Sequence, residues 1–318
     1  MIKRLLAAFL ALGLCASAHA QSGKVSKILV GFPPGQATDL VARILAERLG
    51  PALGETVIVE NRPGQGGSVA LAALAKSPPD GGTMMLSALA SLVANPHLYK
   101  SVGYDTLKDF EPIALVADLP LLLVVHPSVP VRTVPELIAY AKANPDKLSH
   151  PSSGNGTLSH LAMEDFKRRA GITILHVPYQ GSARAMADLM AGTVTVGMDT
   201  VAVTQPHVQA GKMRLIAAGT ATRLAAFPDT PTIAEQGFLG FSASAWLGLL
   251  YPAGTPKDLV GRTSAAVAKI VQSPDVEQKF AAIGAIPRSA GPAEFRRFLQ
   301  EEYQRWGAIV KASGARVD

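Results

Sequence analysis

Three short stretches of this chain combine residues suited to holding an anion: Gly31-Phe32-Pro33-Pro34-Gly35, Asn61-Arg62-Pro63-Gly64-Gln65-Gly66-Gly67-Ser68 and Ser152-Ser153-Gly154-Asn155-Gly156-Thr157. Each follows an apolar, strand-like run and precedes a run with helical periodicity. The first N–H groups of a helix lack partners within it, and the aligned peptide dipoles leave partial positive charge there. Glycine lets a ligand come close to that backbone. A carboxylate or phosphate can be held in this way without a buried lysine or arginine. Any one of these loops taken alone is better explained as a turn followed by a Ser or Thr cap. Three of them in one chain shift the balance toward binding.

Catalytic patterns fail by comparison. Gly64-Gln65-Gly66 opens like a dinucleotide fingerprint, but Val69 stands where the last glycine is needed; Gly154-Asn155-Gly156 fails in the same way at Ser159. The chain has no P-loop, no Gly-x-Ser-x-Gly and no His-Glu-x-x-His. Its histidines are scattered, none at metal-ligand spacing in sequence. His160, one turn into the helix after the third loop, either faces a ligand or packs near the helix start. Asp39 caps its helix or shapes the pocket. Asp199 meets a ligand amine or caps the helix that follows it. No cofactor and no metal are expected.

The elements that would position these loops alternate between strand and helix, the mark of an α/β fold. Strands are expected at 27–30, 57–59 and 83–86, with helices at 39–49, stopped by Gly50 and Pro51, and at 68–76. Two successive βαβ units predict parallel strands. A second run of the same kind covers 147–217, with helices at 157–169, 183–191 and 201–210; Pro206 weakens the last. Between the runs lies an apolar stretch, 113–125, split at 118–120. A further extended stretch, 241–251, follows the second run, and amphipathic helices at 256–272, 275–283 and 292–311 close the chain. One lobe entered and left by extended strands implies two connections, with the other lobe assembled from both ends: residues 21–120 plus 245–318 against 121–244.

The N-terminus reads as an export signal. Lys3 and Arg4 precede an apolar stretch from Leu5 to Leu14, shorter than the ~20 residues a bilayer requires, and Ala18-His19-Ala20 fits a cleavage site. The expected location is the periplasm, with cleavage after Ala20. Cys15 falls in the removed segment, so the mature chain has no disulfide and no thiol chemistry. The formal charge of +6 includes Lys3 and Arg4; the remaining excess is spread out, and no basic stretch is interleaved with aromatics, so nucleic acid is not expected as a partner.

These loops are also where a family resemblance lies. The chain resembles the substrate-binding receptors of tripartite tricarboxylate transporters, the TctC or Bug family, over nearly all of its mature length. The resemblance rests on Phe32-Pro33-Pro34-Gly35 with Asp39, Ala42 and Arg43, and on Glu60-Asn61-Arg62-Pro63-Gly64 with Gly66 and Gly67. It continues through Pro79-Asp80-Gly81, Gly154-Asn155-Gly156 with His160-Leu161, Val177-Pro178-Tyr179 with Gly181, and Asp188-Leu189 with Ala191-Gly192. It implies a two-lobed, type II-like periplasmic binding protein whose Rossmann-like lobes are joined by two extended hinge strands. It implies capture of a small carboxylate by hinge closure, no catalysis, a monomer, and delivery to a two-component membrane permease. Carried over residue by residue, Phe32, Gly35, Gly67 and Ser87 would line one side of the cleft, with Gln36 and Asp39 beside them. Ser153, Asn155, Gly156, Thr157, His160 and Asp199 would face them. Gln36 and Gln65 depart from the glycine and the Gly-Ala-Gly-Gly run usual in the family, and they add side chains at the pocket. Two alternatives remain from the residues themselves: a secreted hydrolase using Ser153 or His160, and a ligand sensor for a membrane kinase.

Overall fold

The computed structural model describes residues 23–313; the expected signal peptide lies outside the described residues. β1 (Val25–Val30), α1 (Ala37–Leu53), β2 (Thr56–Asn61), α2 (Ser68–Ala75) and β3 (Thr83–Ala88) make the first run. β1 pairs in parallel with β2 on one side and β3 on the other, as two βαβ units require. Gly50 and Pro51 do not stop α1. Proline removes a single N–H and its φ is already helical, so the last turn continues to Leu53 and ends at Gly54 in the left-handed region (φ 72°). Gly50 serves packing instead: a Cβ there would fall 2.9 Å from the Glu55 carbonyl oxygen.

After β3 a π-helical turn (Ala90–Ala94) runs into the short α3 (Asn95–Leu98), neither of which has a clear sequence period. β4 (Phe110–Val125) follows as one continuous strand of 16 residues, where the sequence had suggested two stretches split at 118–120. The polar residue at the apparent break, Asp118, is matched by Arg288 at 3.1 Å. The second run comprises α4 (Val134–Ala143), β5 (Ser149–Ser152), α5 (Leu158–Ala170), β6 (Leu175–Pro178), α6 (Ser182–Met190), β7 (Val196–Thr200), α7 (Val201–Gln209) and β8 (Arg214–Ala218). The chain then returns through β9 (Ser244–Pro252), α8 (Lys257–Val271), α9 (Pro274–Ala282), β10 (Ile286–Ala290) and α10 (Pro292–Ser313).

β4 changes partners along its length. From Phe110 to Pro120 it pairs with β9, and β10 lies on its other side. From Leu121 to Val125 it pairs with β7 and β8. The handover falls at Pro120, which has no N–H to give a ladder. The strand's two-residue period then divides the cores: Leu121, Leu123 and Val125 join the large cluster, while Leu122 and Val124 join a smaller one with Met186, Leu189 and Val201. The C-terminal helices fold back on the first run. Lys279 of α9 meets Glu47 of α1 at 2.7 Å, and Trp246 of β9 donates through Nε1 to Glu302 of α10 at 2.9 Å. The result is a mixed α/β molecule of two lobes, crossed by β4 and by the segment leading into β9.

Candidate ligand site between the lobes

The cleft between the lobes has an inner and an outer part. The inner part is a cavity of about 50 Å³; the outer part, about 580 Å³, shares Phe32 and Ser153 with it. Helix starts from both lobes make the inner wall. Gln36, Ala37 and Thr38 open α1, Thr157, Leu158 and Ser159 open α5, Ser182 opens α6, and Thr200 precedes α7. The amides of these first turns and the helix dipoles give the cavity a positive cast with no cationic side chain in its lining.

Two polar side chains decide its chemistry. Gln36 is 8 % exposed and lines the cavity, and its Nε2 is buried without a hydrogen-bond partner. A donor in that setting is costly unless a ligand accepts from it. Asp199 is the one ionisable group in the inner lining. Burial pushes its carboxyl up to about 6, against the pull of hydrogen bonds from Ser182 Oγ (2.7 Å) and the Thr200 N–H (2.7 Å).

Of the candidate contact residues singled out in the sequence, Phe32, Gln36, Ser153, Thr157 and Asp199 meet at the inner cavity, and Asn155 lines the outer cleft together with Gln65. The others line neither part and have structural work. Gly35 is exposed, with φ 82° and open space where a Cβ would stand. Asp39 is buried and accepts from the Gly35 N–H, Arg43 Nε and Asn61 Nδ2, each at 2.9 Å, which ties the first loop to β2. Burial raises its pKa, and these hydrogen bonds outweigh that and hold it below the ordinary value. Gly67 packs against Ser91, and Ser87 hydrogen-bonds Ser91 (2.9 Å). Gly156 has no room for a Cβ, which would fall 2.5 Å from Asn95 Oδ1.

His160 faces inward to two other histidines. His160 stacks on His176 at 4.2 Å between ring centroids, and His176 on His150 at 4.8 Å. Glu164 completes the group; it, His160 and His176 hold potential metal-ligating atoms within 4.8 Å of one another. Histidines that look scattered in sequence thus converge behind the third loop. Several of their polar atoms are already engaged, whereas His150 Nδ1 is buried without a hydrogen-bond partner. The Gly156 N–H donates to His160 Nδ1 (3.2 Å), so the neutral ring carries its proton on Nε2. His176 Nε2 bonds Ser152 Oγ (2.7 Å), and Glu164 Oε1 takes Lys167 (2.6 Å) and His150 (3.3 Å). Burial drives His160 down to about 4, and burial with the neighbouring imidazoles drives His176 to about 3, so the stack is neutral at pH 7. A nucleophile pair is not assembled from Ser153 and His160: Ser153 Oγ bonds Ser159 Oγ (3.0 Å).

Several lining residues were not anticipated. Ser159, Ser182 and Thr200 repeat the small polar residue at a helix start and were legible by that rule. Tyr99 reaches the outer cleft only through the tertiary fold; its hydroxyl donates across the cleft to the Asn155 carbonyl (2.9 Å).

The same architecture recurs in known proteins. The sequence profile described as Tripartite tricarboxylate transporter family receptor matches residues 41–315. Protein BugT of Bordetella pertussis is 36% identical over 302 residues, covering 95% of this chain and 93% of BugT. Among solved structures, Rpa4515 of R. palustris with adipate superposes with a TM-score of 0.88 at 35% identity, covering 92% of this chain and 99% of that one. MatC from Rhodopseudomonas palustris with bound malate gives 0.84 at 31% identity, covering 90% and 98%. Sequence and fold agree over nearly the whole described length, from the first glycine loop to the C-terminal helix, and the chain belongs to the receptors of the tripartite tricarboxylate transporter family.

Proposed function

We propose that the protein captures a small carboxylate between its lobes, leaves it chemically unchanged, and delivers it from the periplasm to a two-component membrane permease, acting as a monomer. The lobes are residues 21–120 with 245–318, and residues 121–244. Capture works by hinge closure: α1 approaches the carboxylate from one lobe and α5 from the other, so their hydrogen bonds to one anion exist together only when the cleft is shut. Phe32, Gln36, Ser153, Thr157 and Asp199 form the inner contacts, with Asn155 at the outer edge. The observation that carries this reading is the convergence of helix starts from both lobes on a cavity where Gln36 Nε2 has no partner. That relatives were solved with adipate and malate supports the ligand class.

Thermal unfolding of the purified protein with and without ligand tests the proposal. A ligand at ~100 times its Kd stabilises the fold by about 2.7 kcal/mol, several degrees in Tm. Carboxylates are expected to produce that shift, while sugars and simple amines are not. A broad set of carboxylates that all leave Tm unmoved would overturn the reading.

A further inference from the structure

The two parts of the cleft differ in size and chemistry, and together they constrain the ligand. The inner cavity, at about 50 Å³, is less than a tenth the size of the outer cleft, at about 580 Å³. A ligand that outgrows the inner cavity extends past Phe32 and Ser153, which the two parts share, into the outer cleft.

The outer cleft contains no Lys, Arg, His, Asp or Glu in its lining. Its apolar walls are Phe32, Pro33, Pro63, Tyr99, Pro178 and Tyr179, and Gln65, Ser153, Asn155, Gln180 and glycine backbone line the rest. Both tyrosine hydroxyls are turned to protein partners: Tyr99 donates to the Asn155 carbonyl (2.9 Å) and Tyr179 to Asp188 Oδ2 (2.6 Å). What they leave for a ligand is ring surface. A second carboxylate placed here would meet no cationic side chain, only uncharged groups such as Gln65, Asn155, Gln180 and the glycine backbone, whereas a flat apolar body gains from the aromatic and proline walls. Gln36 stands at the junction. It lines the inner cavity, and its buried, unpartnered Nε2 lies so close to Gly181 of the outer cleft that a Cβ there would fall 2.8 Å away.

We propose that the ligand is a monocarboxylate with an uncharged, broad body, an aromatic acid by preference: its carboxylate lies in the inner cavity and accepts from Gln36 Nε2, and its ring lies in the outer cleft. This rests on the carboxylate-capture reading and adds the number of charges and the shape of the body. Isothermal titration of the purified, extensively dialysed protein separates the two. The probes are benzoate, cyclohexanecarboxylate, acetate, adipate, malate and neutral benzamide. Benzoate is expected to bind at least about tenfold tighter than acetate, through the buried ring, and at least about tenfold tighter than adipate or malate. Gln36→Met, close in shape but without the donor, is expected to weaken benzoate roughly ten- to hundredfold. Adipate or malate binding as tightly as benzoate, or acetate matching it, would overturn this inference and leave carboxylate capture standing. An unchanged benzoate affinity in Gln36→Met would remove Gln36 from the site. If none of the acids binds, or benzamide binds as well as benzoate, the capture reading itself fails. Because the ligand series uses the unaltered protein, a misfolded variant would not block the test.

Discussion

Asp199 is held in the cavity wall by Ser182 and Thr200, and its burial ties stability and binding to pH. Its carboxyl is raised from 3.8 to about 6, so between these values the folded protein holds a proton that the unfolded chain has released. Its favourable contribution is therefore complete below about pH 4 and is lost as pH rises through about 6. The charged form costs on the order of 3 kcal/mol at neutral pH. Asp199→Asn is expected to stabilise the protein by up to about that amount at pH 7.5, with the gain vanishing near pH 4, as measured by urea unfolding across the range. An anion beside Asp199 favours its protonated form, so carboxylate affinity should rise from pH 7.5 to 5.5 in the natural protein and stay flat in the variant. The same pH dependence in both would remove Asp199 from the binding wall. The residue was legible in the sequence as a polar group ending an apolar strand. Its pairing with Ser182 was not, since 17 residues and a whole helix separate them.

At the scale of elements, two glycines that open helices behave differently. Gly35 has φ 82° and open space around the missing Cβ; Gly181 has φ 112° and would drive a Cβ to 2.8 Å from Gln36 Nε2 and 3.1 Å from Pro33 Cγ. Gly35→Ala is expected to cost about 1–2 kcal/mol of stability through the left-handed backbone and to leave affinity nearly unchanged. Gly181→Ala carries a similar backbone cost. Its added methyl also collides with the opposite lobe in the closed form, so affinity should fall at least about tenfold. Calorimetry and titration on both variants check this; equal affinity losses would erase the distinction. The helical period over 39–49 and the strand-to-helix transitions placed the loops correctly. Which glycine admits a ligand and which merely turns the chain depends on what lies across the cleft, and a local sequence pattern cannot report that.

The whole molecule turns on β4, whose first part belongs to one sheet and whose last residues belong to another. That strand and the segment entering β9 are the crossings, and the larger hydrophobic cluster continues along them from one lobe into the other. The Tyr99 ring packs on the larger hydrophobic cluster, and its hydroxyl bonds the Asn155 carbonyl over the cleft. Tyr99→Phe is expected to lower ligand affinity about fivefold, the worth of a neutral hydrogen bond, with Tm shifted little. It should also increase the radius of gyration of the ligand-free protein in small-angle scattering. An unchanged radius together with unchanged affinity would show that the contact does not bias closure.

The amino-acid pattern by itself determined the alternation of strands and helices, the parallel pairing of β1 with β2 and β3, the glycine loops and the family, because periodicity and turn chemistry act over a few residues. The tertiary structure decided the rest. Asp118 and Pro120, which seem to interrupt β4, lie within one strand because Arg288 and a change of pairing partner accommodate them. His150, His160 and His176 form one neutral stack, and Asp39 is a brace rather than a cavity wall. The feature named first, the anion-suited loops, survives in narrower form: helix starts from opposite lobes share one small cavity, and long-range packing, invisible to local spacing, leaves Gln36 there with a donor to offer.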